Sequence, residues 1–219
     1  MVFADRSDAG RRLAAALLPY RVKHPVVLAL PRGGVPVAAE VARVLAAPLD
    51  LVLVRKIGLP WQPELAIGAV VDGAEPMIVR NEEIIAHEGV GEAEFQRVCH
   101  REQVEIERRR ARYLGARERA EIAGRVVIVV DDGIATGATM KAALRAIRRR
   151  GPAQLVLAVP VAPPEAVAEL RPEVDDLVCL EMPERFGALG HFYRDFGQLG
   201  DEEVIATLAR FPVRPVPPA

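Results

Sequence analysis

Two adjacent aspartates followed by a glycine loop form the clearest chemical pattern in this chain. Residues 126–139 read VVIVVDDGIATGAT. The apolar β-branched run predicts a short buried strand that ends at Asp131 and Asp132. Gly133 and Gly137 bracket the loop that follows, and helical spacing of apolar residues begins directly after it. The segment therefore predicts a strand, a loop and a helix, with two carboxylates where the strand ends.

Such a loop suits a phosphate, and the aspartates indicate what the phosphate is attached to. The first amides of a helix are unpaired and lie at the positive end of its dipole, and glycines let the backbone approach an anion closely. Carboxylates repel phosphate, so Asp131 and Asp132 should face hydroxyl groups or a metal ion. A sugar phosphate satisfies both requirements. The nucleotide-binding P-loop is excluded, because the chain contains no G-x-x-x-x-G-K-[ST] sequence.

Residues 126–139 resemble the phosphoribosyl-pyrophosphate (PRPP) motif of type I phosphoribosyltransferases, in which an apolar strand, two acidic residues and a short loop precede T-G-x-[ST]. The resemblance implies that Asp131 and Asp132 bind the ribose hydroxyls and are catalytic. It also implies a loop for the 5′-phosphate, formed by Gly133, Ile134, Ala135, Thr136, Gly137, Ala138 and Thr139. Receiver domains of signalling proteins also have a strand ending in two aspartates, but they need a lysine on a later strand, and the last lysine here is Lys141.

A second strand–loop–helix unit lies near the N-terminus. An apolar strand over residues 26–30 ends in the sequence PRGG, and residues 35–45 have helical spacing. By itself this pattern is typical of a tight turn. Type I phosphoribosyltransferases, however, bind pyrophosphate with a loop of this kind. The resemblance implies that Arg32, Gly33 and Gly34 bind pyrophosphate and that Arg32 is catalytic. A strained or cis peptide bond is expected in this loop.

Two further cations follow the next predicted strand, over residues 49–54. Residues 55–63 contain glycine and prolines and therefore predict a loop. In the family, a mobile loop at this position closes over PRPP and excludes water. Arg55 and Lys56 are thus candidates for binding pyrophosphate, and the alternative is that they are exposed basic residues at a strand end.

The loop after residue 180 resembles the nucleobase-binding hood of hypoxanthine-type enzymes, with an E-M-P-E-R-F sequence followed by glycine and an Asp-aromatic pair. The resemblance implies that Phe186 stacks on a flat base, with Tyr193 beside it, and that Asp195 lies near the base or the metal. The alternative is a phenylalanine buried under a C-terminal loop. The spacing from the phenylalanine to the glycine is longer by one than in the hypoxanthine-type pattern.

Two departures from the hypoxanthine-type pattern leave the acceptor open. Ala135 stands where those enzymes carry an aspartate that protonates the base, as in adenine- or uracil-type loops. Residues 159–162 contain no lysine that could read a purine oxygen. Both departures speak against the usual 6-oxopurine chemistry, although a purine-like base remains the favoured acceptor.

Alternating strands and helices predict an α/β fold with a doubly wound, mainly parallel sheet in one domain over residues 1–219. Ligands bind such sheets at the carboxyl ends of the strands, where both glycine loops fall. The sequence also predicts a first helix, a hairpin, and a helical insertion over residues 81–123 whose charged helix spans 92–119. The hood and C-terminal tail occupy residues 181–219, with a short helix over 201–209.

Composition removes several other classes of protein. The net charge of −1 makes nucleic acid an improbable partner, and no apolar stretch is long enough to span a bilayer. The two cysteines are far apart and form no C-x-x-C site, so a reduced cytoplasmic setting is expected. The single serine lies outside a G-x-S-x-G elbow, which argues against the usual serine hydrolase. The histidines lack the spacing of a zinc site, and no G-x-G-x-x-G follows a strand, as an NAD-binding fold would require.

The resemblance implies a phosphoribosyltransferase that transfers the 5-phosphoribosyl group from PRPP to a small nitrogenous base and releases pyrophosphate. It implies Mg²⁺ as cofactor, held mainly by PRPP with Asp131 or Asp195 contributing through water, and a homo-oligomer is expected. Two alternatives remain open. One is a non-catalytic regulator that binds PRPP or a nucleotide on the same fold, and the other is a hydrolase of a sugar phosphate.

Overall fold

A five-stranded parallel sheet lies at the centre of the protein. The structure, a computed structural model, describes residues 2–63, 65–73 and 76–211. The strands of the central sheet are β1 (Val26–Ala29), β2 (Leu49–Leu51), β6 (Val126–Val130), β7 (Gln154–Val161) and β8 (Asp176–Glu181). They lie in the order β2-β1-β6-β7-β8, and each neighbouring pair is parallel.

Three antiparallel strands form a second sheet, in the order β3-β4-β5. They are β3 (Val54–Gly58), β4 (Ala66–Val71) and β5 (Met77–Arg80). The helices are α1 (Arg6–Ala16), α2 (Gly34–Leu45), α3 (Glu82–Glu88), α4 (Glu92–Leu114), α5 (Ala138–Arg149), α6 (Pro164–Leu170) and α7 (Asp201–Ala209).

Strand β6 shows why the central sheet is doubly wound. Its alternate residues belong to two different cores: Ile128 packs with α1 and α2 on one face, and Val129 packs with α5 and α6 on the other. A strand covered on both faces needs apolar residues throughout, and this explains the uninterrupted VVIVV run. The predicted α/β fold with a doubly wound, mainly parallel sheet is confirmed.

The region after β2 differs from the prediction. The expected strand over 49–54 ends at Leu51, and the expected loop over 55–63 begins as strand β3. Both predictions were wrong at this point because Ile57, a buried residue that follows two charged ones, pairs antiparallel with β4 and packs into the core. The glycine and proline signals apply only to the residues that follow the strand.

The charged helix α4 packs against the second sheet and α7. Phe95 and Ile106 enter the same core as the β3 residue Ile57. The helix stops at Leu114, before its predicted end at residue 119, because Gly115 takes a φ of +52° that other residues adopt only with strain.

The other sequence predictions of secondary structure agree with the structure within one or two residues at each end. The hairpin of β4 and β5 is confirmed, with residues 74–75 outside the described residues. The tail beyond residue 211 also lies outside them. Within the described parts of the chain, no helix combines the length and apolar character that a membrane span requires.

Candidate functional site

The carboxyl ends of β1 and β6, neighbours in the central sheet, bring the two glycine loops into contact. A Cβ atom placed on Gly33 would lie 2.7 Å from Oδ1 of Asp132 and would overlap Oδ2. A Cβ on Gly34 would lie 2.9 Å from the Cα of Asp131. The peptide bond between Pro31 and Arg32 is cis. The absence of side chains at the two glycines is therefore what lets this loop lie against the acidic pair.

The two aspartates have different surroundings. Asp131 keeps partial access to solvent, and its Oδ1 accepts the backbone N–H of Asp132 at 2.8 Å. Burial of this carboxyl group, and next the negative charge of its neighbour, raise the pKa of Asp131 well above the usual value. Asp132 is buried, and its Oδ2 accepts a hydrogen bond from Nε of Arg6 at 2.8 Å. The second aspartate is thus paired within the protein, whereas the first is the more accessible of the two.

Arg6, in the first turn of α1, is a site residue that sequence reasoning missed. Its guanidinium also donates to the backbone carbonyl of Gly197 at 2.9 Å and lies over the ring of Phe196, 3.9 Å from the centroid. The side chain therefore joins the acidic pair to the C-terminal loop. Its partners are more than 100 residues away in the chain, so no local pattern could have identified it.

The predicted phosphate loop connects β6 to α5 in the predicted form. Gly137 has a φ of +79°, which a side chain would strain, and α5 starts at the next residue. The N–H of Ile134 donates to the carbonyl of Val161 at 3.0 Å, and this bond fixes the base of the loop. Ala135 and Thr136 are exposed at its tip. The open backbone ahead of α5 can accept an anion at the positive end of the helix.

The three predicted pyrophosphate cations lie in different environments. Arg32 is half exposed, and its nearest acidic partner is Asp201 at 3.7 Å. Arg55 donates through Nε to Oε2 of the buried Glu102 at 2.9 Å. Lys56, the neighbour of Arg55 on β3, borders a cavity of about 740 Å³ between β3 and α4. Only Arg32 belongs to the loop that contacts the aspartates.

The predicted hood is a loop of packed aromatic rings. Phe186 lies against Phe192, with ring centroids 5.2 Å apart. Tyr193 is buried and donates its hydroxyl proton to the backbone carbonyl of Asp132. The exposed Asp195 accepts the N–H of Gly197 at 3.1 Å. The hood is thus attached directly to the acidic pair, and Tyr193 makes that connection.

The N-terminal residues complete the hood. Phe3 is fully buried; its N–H donates to the carbonyl of Phe192 at 2.8 Å, and its carbonyl accepts the N–H of Arg194 at 2.9 Å. Its ring packs on Tyr193 at 5.4 Å. This contact was also missed from the sequence, because a single phenylalanine before a helix carries no signal of its distant partner.

The carboxylates at the site suit a metal ion that enters the site bound to the phosphates of a ligand. Among the described residues, no group of three or more histidine, cysteine, aspartate or glutamate side chains could hold a metal ion. Mg²⁺ commonly binds through one or two carboxylates and the phosphates of a substrate. Asp131 offers such an oxygen, while Asp132 is engaged by Arg6. The residues present therefore fit a magnesium ion held mainly by a bound diphosphate.

Comparisons with known proteins agree with this geometry. The chain is 46% identical over 209 residues to a Mycobacterium tuberculosis (strain H37Rv) protein named "Putative phosphoribosyl transferase Rv0571c"; the match covers 95% of this chain and 47% of that protein. The chain thus spans about half the length of this curated relative. The crystal structure of TT1426 from Thermus thermophilus is 45% identical, with a TM-score of 0.85 over 97% of this chain and 100% of that one.

A third similarity is confined to part of the chain. The uracil phosphoribosyltransferase of Lactobacillus gasseri is 38% identical over 84 residues, or 37% of this chain and 40% of that protein. The profile of the phosphoribosyl transferase domain, in contrast, matches residues 4–194. This range includes both glycine loops, the acidic pair and Arg6. The resemblance drawn from residues 126–139 is confirmed, and the chain belongs to the phosphoribosyl transferase domain family.

Proposed function

We propose that this protein transfers the 5-phosphoribosyl group of PRPP to a nitrogenous base with release of pyrophosphate. The observation that carries the proposal is the contact between the two glycine loops at the acidic pair. A Cβ atom on Gly33 could not coexist with the carboxylate of Asp132. A phosphate loop, two carboxylates and a second loop with Arg32 therefore face one ligand, whose ribose would lie between its 5′-phosphate and its pyrophosphate.

The proposed roles follow from this arrangement. Asp131 and Asp132 accept the ribose hydroxyls, residues 133–139 hold the 5′-phosphate, and residues 32–34 hold the pyrophosphate. Displacement of pyrophosphate from the anomeric carbon places positive charge on the ribose and negative charge on the leaving group. Arg32 and the loop amides stabilise that negative charge, and binding of both reactants supplies their orientation. A bound Mg²⁺ would neutralise the pyrophosphate further.

The acceptor base is proposed to bind under the hood. Phe186 would offer an aromatic face to the base, and Asp195 a carboxylate. Tyr193, whose buried ring packs on Phe3 and Phe196, would support the base site from within the hood. The local similarity to a uracil phosphoribosyltransferase supports a nitrogenous base as the class of acceptor. A purine-like base is the favoured choice within that class.

The regulator alternative would use the arginine-rich α4 as a nucleic-acid surface. Its arginines are instead matched by acids of the same helix, since Arg97 pairs with Glu94, and Glu105 pairs with Arg108 and Arg109. A helix with balanced charge lacks the basic stripe that binds phosphate backbones. This observation supports a small-molecule site. A cytoplasmic location and a homo-oligomeric state remain parts of the proposal.

Calorimetric titration of the protein with PRPP and Mg²⁺ tests the proposal, using the double variant Asp131→Ala/Asp132→Ala. The chain offers a matched control in Asp175 and Asp176, a second pair of adjacent aspartates at the opposite, amino end of strand β8. We expect the Asp131/Asp132 variant to lose binding and the Asp175→Ala/Asp176→Ala variant to retain it at temperatures where both are folded.

Release of pyrophosphate is then measured with a panel of bases. Release that requires a base supports the transferase, whereas release of phosphate or pyrophosphate without a base indicates hydrolysis. Binding without any release indicates a regulator. If the wild-type protein binds no PRPP, the proposed function is wrong.

A further inference from the structure

One face of α4 borders the region between the two glycine loops. Glu102, Ile106, Arg109 and Tyr113 recur at steps of four, three and four residues and so share that face. Ile106 and Tyr113 are buried, which shows that this face points into the protein. Arg109 thus emerges beside a buried stripe and not on the solvent side of the helix.

A small cavity of about 30 Å³ places Arg109 among the proposed ligand-binding elements. Its walls include Pro31 from the first glycine loop, Thr139 from the start of α5, and Arg55 from β3. Arg109 therefore faces the space between the loop assigned to pyrophosphate and the loop assigned to the 5′-phosphate. Its Nε donates to Oε1 of Glu105 at 2.7 Å, which uses one of the five N–H groups of the guanidinium.

Arg32 and Tyr113, the residue one turn after Arg109 on α4, meet at Asp201. The carboxylate of Asp201, 3.7 Å from Arg32, accepts the hydroxyl of Tyr113 at 2.7 Å, and this hydrogen bond is the main cause that lowers the pKa of Asp201. The charges of nearby arginines, Arg32 and Arg109 among them, lower it further. Asp201 thus connects Arg32 of the first glycine loop to the face of α4 that carries Arg109, and its other oxygen pairs with Arg112 of α4 at 2.9 Å.

Nearer the N-terminal end of α4, further cations of this helix and of β3 line the cavity of about 740 Å³. Among the described residues, its lining includes Arg55, Lys56, Arg97, Arg101, Glu102 and Thr139. Glu102 is buried and holds Arg55, and its other oxygen lies 3.4 Å from Nε of Arg101. The carboxylate of Glu102 therefore contacts two guanidinium groups, those of Arg55 and Arg101, that line the cavity together with Thr139 of the phosphate loop.

We propose that α4 forms the second wall of the pyrophosphate subsite, in which Arg109 and Arg101 bind the diphosphate of PRPP from the side opposite Arg32. This inference rests on the proposed function and assigns a ligand contact to a helix that was predicted only as an insertion. Guanidinium groups bind phosphate oxygens through paired hydrogen bonds, and both arginines are already oriented by acids of their own helix.

The test compares three ligands, each with Mg²⁺: pyrophosphate, ribose 5-phosphate and PRPP. For Arg109→Gln we expect pyrophosphate and PRPP to bind about 10-fold more weakly, as for the loss of a charged hydrogen bond, and ribose 5-phosphate to bind unchanged. Arg101→Gln should act in the same direction, and Arg109→Lys should restore part of the loss. Arg108→Gln is the matched control, because Arg108 also pairs with Glu105 but lines neither of the two cavities.

The outcomes separate this inference from the function on which it rests. If wild-type protein binds PRPP and Arg109→Gln and Arg101→Gln bind pyrophosphate as tightly as wild type, α4 is not a wall of the subsite, although the transferase proposal stands. An equal weakening for ribose 5-phosphate would also contradict the inference, since it would indicate a general structural effect. If the wild-type protein binds none of the three ligands, the proposed function and the inference are both wrong.

Discussion

The two sides of the candidate site are built in different ways. The glycine loops come from strand–loop–helix units in which each loop directly joins neighbouring elements of the chain. The covering side combines the N-terminal residues, the hood and α4, which are distant in sequence. Arg6 reaches Asp132 across 126 positions and Gly197 across 191 positions. Local backbone geometry thus forms the proposed phosphate-binding surface, while tertiary packing forms its cover.

This difference explains where the stability of the site should reside. The loops need only glycines and the helix that follows each of them. The cover depends on a buried ion pair and on aromatic packing. The ring of Phe3 packs on Tyr193, Tyr193 packs on Phe196, and the guanidinium of Arg6 lies over Phe196. Changes to Arg6 and these aromatic rings should therefore reduce the stability of the fold, and changes in the loops should mainly reduce ligand binding.

The largest effect is expected for Arg6→Ala. Truncation would leave the buried carboxylate of Asp132 without its partner, which costs about 3 kcal/mol in comparable buried pairs. For a chain of this size the midpoint of thermal unfolding should fall by roughly 6–12 °C. Arg6→Lys should recover part of that loss, because the charge remains while the contact with the ring of Phe196 and the fork of hydrogen bonds is weakened.

Arg11→Ala is the matched control for this variant. Arg11 belongs to the same helix but is half exposed, and its pair with Asp8 is 3.7 Å long. Such surface pairs contribute little to stability, so the free energy of unfolding of Arg11→Ala should lie within about 0.5 kcal/mol of the wild-type value. Equal unfolding curves for Arg6→Ala and Arg11→Ala would show that the cover does not depend on the buried pair.

Gly33→Ala tests the glycine loops, where a change should mainly reduce ligand binding. The backbone of Gly33 has a φ of −57°, which alanine adopts readily, so only the overlap of its new methyl group with Asp132 is at issue. Displacing the loop should cost about 1–3 kcal/mol, seen as PRPP affinity lower by roughly 10- to 100-fold. Calorimetric titration with PRPP measures it.

Gly91→Ala provides the control, because Gly91 has a φ of −70° and a Cβ there would meet nothing within 4 Å. Its affinity for PRPP should equal that of wild type. Unchanged affinity in Gly33→Ala would mean that the two loops do not jointly form the site.

The same division decided what could be predicted from the sequence. Strand β6, the phosphate loop and α5 were predicted with nearly correct ends, because apolar periodicity and glycine positions are local signals. The placement of both glycine loops at one edge of the sheet followed from the rule that parallel strands end together there, but the contact between Gly33 and Asp132 was found only in the structure. The roles of these residues toward a ligand stay predictions.

The remaining features depend on partners that a linear pattern does not contain. Arg55 and Lys56 were placed in a mobile loop, but β3 forms because β4 is available to pair with it. Glu102 gave no sign of being a buried acid, since its helix is charged throughout. Arg6 carries no local signal that sets it apart from the other charged residues of the first helix. In each case a long-range contact set the role of the residue.

The smallest effect on stability is expected for Glu105→Gln on α4. This variant removes exposed ion pairs of the covering side, and its cost can be compared with that of losing the buried Arg6–Asp132 pair. Hydrogen bonds from Arg108 and then Arg109 lower the pKa of Glu105 from 4.5 to about 2. The folded state therefore binds fewer protons than the unfolded state between these values, so the contribution of Glu105 is complete above pH 4.5 and is lost as the pH falls toward 2. Solvent screens this surface pair, and we expect a cost of only about 0.5 kcal/mol at pH 7.

Urea unfolding of wild-type protein and Glu105→Gln at pH 7, near pH 5 and at pH 3 measures this prediction. The difference in unfolding free energy should be the same at pH 7 and near pH 5, and smaller at pH 3, because only the wild-type side chain titrates. A difference of several kcal/mol at pH 7 would place Glu105 with Arg6 among the buried pairs. A difference that grows as the pH falls would contradict the lowered pKa, and the arginines of α4 would then be held by something other than Glu105.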